Sequence, residues 1–537
     1  MSSKFLKGAF ILTVGSMLSK VLGLFYLIPF EAMVGKTGGY LYNLGYVPYT
    51  LFISFATAGM PLAISKFVSK YNAIEEYAVS RRLFKSSLLL MMITGVLAFL
   101  FLYMLAPVYA DFIKTPEAEV PVEDITSVIR AVSFALILVP FMSIIRGFFQ
   151  GHEEMAPTAI SQVVEQLVRI VFLLAGVFVV LKIADGSIVE AIQAATFAAT
   201  IGALGGLLVL FWYWRKHKPG FDEMLARDRG TIHVSLPAIY KEILISSIPF
   251  VFVGIAMPVF QMVDNLTFLR GMSSGGLGKI AEDSLGILNT YAQKIVLIPM
   301  TLATGFSMAL LPAITKAFVS EDFSVFKRYI DQAFQILLFI TIPAVVGMAV
   351  LADPIYSSFY EHDPIGAEVL QAYAPTAVLF ALFSVTASIL QGINRQKFTV
   401  LSLLMGLLVK LSLNLPLIRF FGTDGSIYAT SLGFFVACIM NLFVIAYFTG
   451  YRYNLVFKRT LLITIISIIM GIGTWIVKAL LMLGLDTESR MEAVVITAIA
   501  AVFGAFIYAV ITLKTKLAHH VLGSRIDRLR KKLKLSE

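Results

Sequence analysis

The sequence is short of charge. Of its 537 residues only 14% are Asp, Glu, Lys or Arg, where a soluble chain of this length carries nearer a quarter. Cysteine is almost missing: Cys438 stands alone inside an apolar run, which excludes an intramolecular disulfide and a cysteine-based metal site. The six histidines, His152, His217, His233, His362, His519 and His520, all fall outside the long apolar stretches. No histidine proton relay or metal cluster can therefore sit within an apolar layer, and neither metal nor cofactor is expected. The phosphate-cradling pattern G-x-x-x-x-G-K-[ST] does not occur, so the chain carries no such nucleotide-powered motor, and H-E-x-x-H is missing as well.

What is present is apolar surface. Hydrophobic residues make up 58% of the chain and the mean hydropathy is +0.85, so water cannot be its main solvent. The net charge of +10 lies in short loops and the C-terminal tail, a distribution that suits membrane lipids and not nucleic acid. The start, Met1-Ser-Ser-Lys-Phe-Leu-Lys7, has the look of a signal peptide. The run behind it is too long, contains Lys20 and lacks a small-x-small cleavage site, so a retained first helix is expected.

A bilayer core takes about 20 mostly apolar residues per helix. Spans on that rule fall near 8–30, 44–66, 84–106, 125–150, 157–181, 188–214, 242–268, 285–312, 329–352, 367–391, 398–418, 426–448, 460–482 and 490–514. With the N-terminus inside, thirty Lys and Arg lie in cytoplasmic segments against seven in external ones. The external segment 353–367 has none, and 107–124 has only Lys114 among several acids. That bias is what the positive-inside rule requires, and it puts both termini in the cytoplasm. An odd number of spans would scramble it.

The chain repeats itself. Phe148-Phe-Gln-Gly151 recurs as Ile389-Leu-Gln-Gly392, and Val168-Arg169 recurs as Val409-Lys410 at the same offset of 241. Ala106-Pro-Val-Tyr109 echoes Asp353-Pro-Ile-Tyr356, and Ile64-Ser-Lys-Phe-Val-Ser69 echoes Ile314-Thr-Lys-Ala-Phe-Val-Ser320. An even number of helices per half makes the repeats parallel. The expected fold is an all-α integral membrane protein of about 14 transmembrane helices. Two parallel six-helix repeat lobes would surround a central cavity, with two extra C-terminal helices. The expected boundaries are 1–214 for the first lobe, 215–241 for a cytoplasmic linker, 242–448 for the second lobe, 449–514 for the extra pair and 515–537 for a basic tail. In that tail Leu522, Ile526, Leu529 and Leu533 form one face among Arg and Lys, the pattern of an interfacial helix. Gly271-Met-Ser-Ser-Gly-Gly-Leu-Gly278 reads as a flexible external connector.

A charge near the bilayer centre costs about 2.5–3.5 kcal/mol or more, so each one needs a reason. The mid-span cations are Lys20, Arg169, Lys294 and Lys410; the acids are Glu165 and, nearer the outer surface, Asp264. Arg130 and Lys478 are close enough to a surface to snorkel. Each mid-span cation lies on a polar stripe at helical spacing: Thr13, Ser16 and Gly23 with Lys20; Thr158, Gln162 and Glu165 with Arg169; Thr290 and Thr301 with Lys294; Ser402, Gly406 and Asn414 with Lys410. Glu165 precedes Arg169 by one helical turn, a spacing that favours an ion pair between them. Structural ion pairs could account for some of these charges, but four bases against two acids leave at least two cations for an anionic substrate. Phosphate suits Lys and Arg best.

Three stretches carry a family resemblance over the whole chain. They are Ser16-Met-Leu-Ser-Lys-Val-Leu-Gly23; Tyr291-Ala-Gln-Lys-Ile-Val-Leu-Ile-Pro299 with Leu311-Pro-Ala-Ile-Thr-Lys316; and Arg146-Gly-Phe-Phe-Gln-Gly-His-Glu-Glu-Met-Ala-Pro-Thr158 with Glu165-Gln-Leu-Val-Arg169. The chain resembles the MurJ-type lipid II flippases and their Gram-positive polysaccharide-export relatives, within the multidrug/oligosaccharidyl-lipid/polysaccharide exporter superfamily. The resemblance implies fourteen helices in two lobes plus a pair, a groove for a lipid tail, and no enzymatic activity. It also implies a lipid-linked diphospho-sugar substrate of the undecaprenyl type and a place in the bacterial cell membrane beside the cell-wall synthesis machinery. Lys20 and Lys294 carry over as candidate substrate contacts. Where the Gram-negative pattern has a second arginine and an aspartate, Leu24-Phe25-Tyr26-Leu27 stand here, and Gln293 and Leu297 replace the acids beside the eighth-helix base.

The leading expectation is therefore a flippase carrying lipid II from the inner to the outer leaflet by alternating access. The substrate-binding candidates are Lys20, Arg169, Lys294 and Lys410. Ser16, Gln162, Glu165, Asp264, Gln293 and Asn414 are supporting polar or ion-pairing residues. A flippase for another undecaprenyl-linked polysaccharide precursor is the near alternative. A cation-coupled multidrug exporter of the same superfamily would want an acidic cavity, and a membrane glycosyltransferase would need acidic catalytic residues on a large external loop.

Overall fold

The computed structural model describes residues 15, 18, 19, 22, 23 and 25–522, apart from 58, 59, 117, 118, 232–234, 309–313, 316 and 319. Every regular element among them is helical. Lys20, Ser16 and nearly all of the basic tail lie outside the described residues. Ten helices among the described residues are long and apolar enough to cross a bilayer. They coincide with the third to sixth and the ninth to fourteenth spans read from the sequence. The protein is an all-helical, multi-pass membrane protein.

The chain divides into two compact units, Met1–Leu266 and Thr267–Glu537. The first unit opens with α1 (Leu27–Thr57) and α2 (Met60–Ala73). Hydropathy suggested a connection over 30–44, yet α1 is helical across most of it. The chain turns at Gly35 alone, where φ 63° and ψ −163° suit only glycine. Next come α3 (Tyr77–Ile113), α4 (Val122–Ser133) and α5 (Ala135–Gly151). α6 (Ala156–Phe178) follows, with Pro157 in its first turn, where a missing N–H costs nothing. A π turn at Val179–Ile183 leads to α7 (Ile188–Ala226). α7 begins at a capping box in which Ser187 N donates to Glu190 Oε2 at 2.8 Å and Glu190 N to Ser187 Oγ at 3.2 Å.

α8 (Leu236–Ser274) runs from the first unit into the second. The units thus part inside α8, beyond the linker 215–241 at which the sequence suggested a boundary. Packing explains the difference: near its start Ile239 joins the apolar core of the first unit, and the Tyr240 hydroxyl reaches Ser86 Oγ at 2.7 Å and Ser87 Oγ at 3.2 Å. The linker itself is strapped to the same unit. Glu76, 1% exposed, accepts from Thr231 N at 2.8 Å and from the Thr231 hydroxyl. Ala78 N donates to Asp228 Oδ1 at 2.8 Å, and Arg229 pairs with Glu75 at 2.6 Å.

The connector after α8 is shorter than its glycines suggested. α8 continues to Ser274, Gly276 takes φ 81°, and a tight turn at Gly278–Ile280 leads into α9 (Ala281–Gly286). A π turn at Ile287–Ala292 precedes α10 (Gln293–Met308). Then come α11 (Phe323–Val350), α12 (Ala352–Phe359), α13 (Pro364–Tyr373) and α14 (Thr376–Gly392). They are followed by α15 (Gln396–Phe421), α16 (Thr423–Thr449), α17 (Asn454–Leu481), α18 (Arg490–Lys514) and α19 (Leu517–Leu522). Phe326, Phe334, Leu337, Leu390 and Ile463 lie in the apolar core of this second unit.

Candidate functional site

The polar face of α6 is built by close helix approach. A Cβ on Gly202 of α7 would lie 2.7 Å from the Arg169 Cβ and 2.8 Å from the Glu165 carbonyl oxygen, and one on Gly206 would lie 3.1 Å from the Glu165 Cβ. Glycines at this four-residue spacing let α7 press against α6 in the manner usual for membrane helices. On another side the segment before α1 touches α6 through Gly15, whose Cβ would meet Ala159 at 2.9 Å, and through Gly23, whose Cβ would meet Gln166 Nε2 at 3.1 Å. Backbone on two sides leaves Glu165 and Arg169 few ways to point.

They do not point at each other. Glu165 Oε2 accepts from Arg146 Nη2 of α5 at 2.7 Å, and the Arg146 Nε donates to Ser161 Oγ at 2.9 Å. The Ser161 hydroxyl in turn donates to the Thr158 carbonyl at 3.0 Å. The ion pair expected between Glu165 and Arg169 is thus replaced by one between Glu165 and Arg146. Helical spacing alone could not separate the two partners, because Arg146 reaches α6 from a neighbouring helix.

Arg169, half-buried, finds tyrosines instead. Its Nη2 donates to the Tyr42 hydroxyl at 2.9 Å, and its guanidinium carbon lies 4.9 Å from the centre of the Tyr46 ring. Tyr42 and Tyr46 stack with centroids 5.2 Å apart and planes 10° off parallel, and the Tyr42 hydroxyl is 3.2 Å from that of Tyr26. Tyr49 extends the row, its ring centre 5.3 Å from that of Tyr46. Among the described residues the Arg169 Nε is buried without a hydrogen-bond partner, and so is the Gln162 Oε1. The guanidinium is solvated by a hydroxyl and a ring face, neither of which cancels its charge.

In the second unit Lys294 follows the π turn at Ile287–Ala292 and is half-buried, whereas Gln293 and Thr290 are buried. The Tyr291 carbonyl, in the same turn, accepts from the Tyr360 hydroxyl at 3.3 Å.

Lys410 is 0% exposed. Its ammonium donates to Thr430 Oγ1 at 2.6 Å, to the Ser426 carbonyl at 3.3 Å and to Ser426 Oγ at 3.4 Å, all on α16. Asn414, one turn on, is equally buried and donates to Thr267 Oγ1 at 2.7 Å. Asp264 is buried in α8, next to Asn265, which donates to the Tyr109 hydroxyl at 3.1 Å. Arg169 and Lys410, which the sequence offset of 241 relates, differ in burial: Arg169 is partly open and Lys410 is enclosed.

The model of the family described as polysaccharide biosynthesis protein matches residues 5–318, and the MatE model matches 249–416. Over 533 residues, 98% of each chain, the sequence is 44% identical to Lipid II flippase MurJ of Bacillus subtilis (strain 168). The chain belongs to the MurJ family. A solved structure of Lipid II flippase MurJ in an inward closed conformation matches with a TM-score of 0.67 at 16% identity, covering 96% of this chain and 99% of that one. An inward-facing multidrug resistance MATE family transporter of the MOP superfamily matches at 0.59 and 14% identity, covering 80% and 98%. These two likenesses speak for the fold, a transporter architecture of about fourteen helices. The tyrosines around Arg169 and the Arg146 partner of Glu165 escaped the sequence reading. Their signal was present in Tyr42, Tyr46 and Tyr49 at helical spacing, but such a row reads equally well as core.

Proposed function

We propose that this chain is a lipid II flippase of the bacterial cell membrane, carrying its undecaprenyl-linked diphospho-sugar from the inner to the outer leaflet by alternating access. Full-length membership of the MurJ family supports the activity, and the charge of Arg169 supports the substrate chemistry. A guanidinium left cationic inside a membrane protein, with its neighbouring carboxylate held by another arginine, favours a ligand that brings negative charge. Lys20 and Lys294 join Arg169 as proposed diphosphate contacts. Lys410, held by Thr430 and Ser426, ties α15 to α16. Gln162 and Gln293 support the two stripes, and both termini lie in the cytoplasm, where the cell-wall synthesis machinery would deliver substrate. The multidrug-export alternative is not favoured, since organic cations would meet Arg169 with like charge.

The test is flipping of lipid II by purified protein in vesicles, paired with rescue of a cell depleted of its own flippase. Arg169→Gln should lose transport and rescue by at least tenfold at unchanged protein level. Arg169→Lys should retain more than Arg169→Gln, because phosphate needs the charge more than the fork. Normal transport by Arg169→Gln would remove Arg169 from the site.

A further inference from the structure

A cation kept inside a membrane protein to receive an anion poses two opposed demands. It must be held in one place, and it must not be neutralised by whatever holds it. The usual holder is a carboxylate, and one is available in sequence: Glu165 lies a single turn before Arg169. The structure gives that carboxylate to Arg146 at 2.7 Å. Arg169 is held by aromatic groups from α1: the Tyr42 hydroxyl at 2.9 Å and the face of Tyr46 at 4.9 Å, with Tyr26 behind Tyr42 at 3.2 Å. The Tyr42 hydroxyl accepts a hydrogen bond from the guanidinium and carries no charge that would cancel its own. A phenol accepts a hydrogen bond and offers a negative ring face without carrying a charge at neutral pH. Tyr46 is itself fixed, with Arg169 near its ring and Tyr42 stacked 5.2 Å from it.

We propose that Tyr42 and Tyr46 are positioning residues that fix the Arg169 guanidinium while leaving its positive charge available to the phosphates of the substrate. This rests on the reading of Arg169 as a substrate contact. The tyrosines act through Arg169, and their chemistry distinguishes the role from simple packing. A packing role would show a buried carboxylate at position 42 as lost stability and nothing more. A positioning role makes the sign of that charge decisive.

The experiment is lipid II flipping in vesicles by Tyr42→Glu, Tyr46→Phe, Tyr46→Leu and Arg169→Gln, each with its thermal unfolding temperature and the substrate concentration giving half-maximal rate. Tyr42→Glu puts a carboxylate beside Arg169, and transport should fall at least tenfold while the unfolding temperature stays at or above that of the parent. Tyr46→Leu removes the ring face and should raise the half-maximal concentration several-fold. Tyr46→Phe keeps the face and should retain more activity than Tyr46→Leu. If Tyr42→Glu does not fold, the split between Tyr46→Phe and Tyr46→Leu decides alone: equal half-maximal concentrations overturn the proposal. If Arg169→Gln is inactive while Tyr42→Glu and Tyr46→Leu transport like the parent, the tyrosine role is wrong and Arg169 remains a contact. If Arg169→Gln itself transports normally, the reading beneath the proposal falls with it.

Discussion

Arg146, Glu165 and Arg169 form a choice of one acid between two bases, and the choice has consequences that can be measured. Breaking a buried ion pair leaves a lone charge, at a cost of about 3–5 kcal/mol when fully enclosed. Arg146 and Glu165 retain 13% and 25% side-chain exposure, so a loss of about 1–3 kcal/mol is the sensible expectation after discounting for solvent. Glu165→Gln and Arg146→Gln should each lower the amount of folded protein, and the double variant should recover part of the loss. The two single variants should also differ in transport per folded molecule. Arg146→Gln releases Glu165 to turn toward Arg169 and cancel its charge, whereas Glu165→Gln cannot. Lower transport in Arg146→Gln than in Glu165→Gln is the expected result, and the reverse order would mean that Glu165 does not compete for Arg169. The sequence made the stripe on α6 legible, because 3.6-residue spacing alone puts Gln162, Glu165 and Arg169 on one side. It could not show which base takes the acid, since Arg146 comes from a different helix and no periodicity relates the two.

At the scale of elements, the helices are legible where hydropathy and length decide, and they become obscure where the backbone departs from regular α-helix. α3 and α7 stand out as single apolar runs. The turn at Gly35 does not, because the residues on either side of it keep a helical pattern and only the φ of one glycine breaks it. The π turn before α10 is hidden for the same reason: Ile287–Ala292 is ordinary helical sequence whose extra residue per turn alters phase and not composition. Glycine spacing carries more information than hydropathy at the contact of α6 with α7. Gly202 has no room for a side chain, with the Arg169 Cβ 2.7 Å and the Glu165 carbonyl 2.8 Å from its missing Cβ. Both obstructing atoms belong to the body of α6, so they yield only if the helices separate. Gly202→Val should destabilise the protein by about 1–3 kcal/mol or more through overpacking, seen as a lower unfolding temperature in detergent. It should also displace Arg169 from Tyr42. Gly220, with nothing within 4 Å of the corresponding position, is the control: Gly220→Val should leave the unfolding temperature close to that of the parent.

For the whole molecule the decisive quantity is orientation, because a flippase works in one direction across one membrane. The loops argue for it through charge. Lysines and arginines crowd 66–85, 215–241 and the tail, and they are missing from 353–367. The straps around Glu75, Glu76, Asp228, Arg229 and Thr231 then hold the beginning of the linker after α7 against the turn between α2 and α3. Those two segments must therefore share a side of the membrane, as the charge count independently requires. Lys218, in the exposed end of α7, and Ile365, in the exposed first turn of α13, are suitable reporters. The native Cys438 is buried and contributes little background. A cysteine replacing Lys218 should stay unlabelled by a membrane-impermeant thiol reagent in intact cells and become labelled once the membrane is opened. A cysteine replacing Ile365 should label in intact cells. Labelling of Lys218→Cys in intact cells together with protection of Ile365→Cys would reverse the protein in the membrane. The strapped linker would then face outward, and the direction of transport proposed from the cytoplasmic supply of substrate would have to be abandoned.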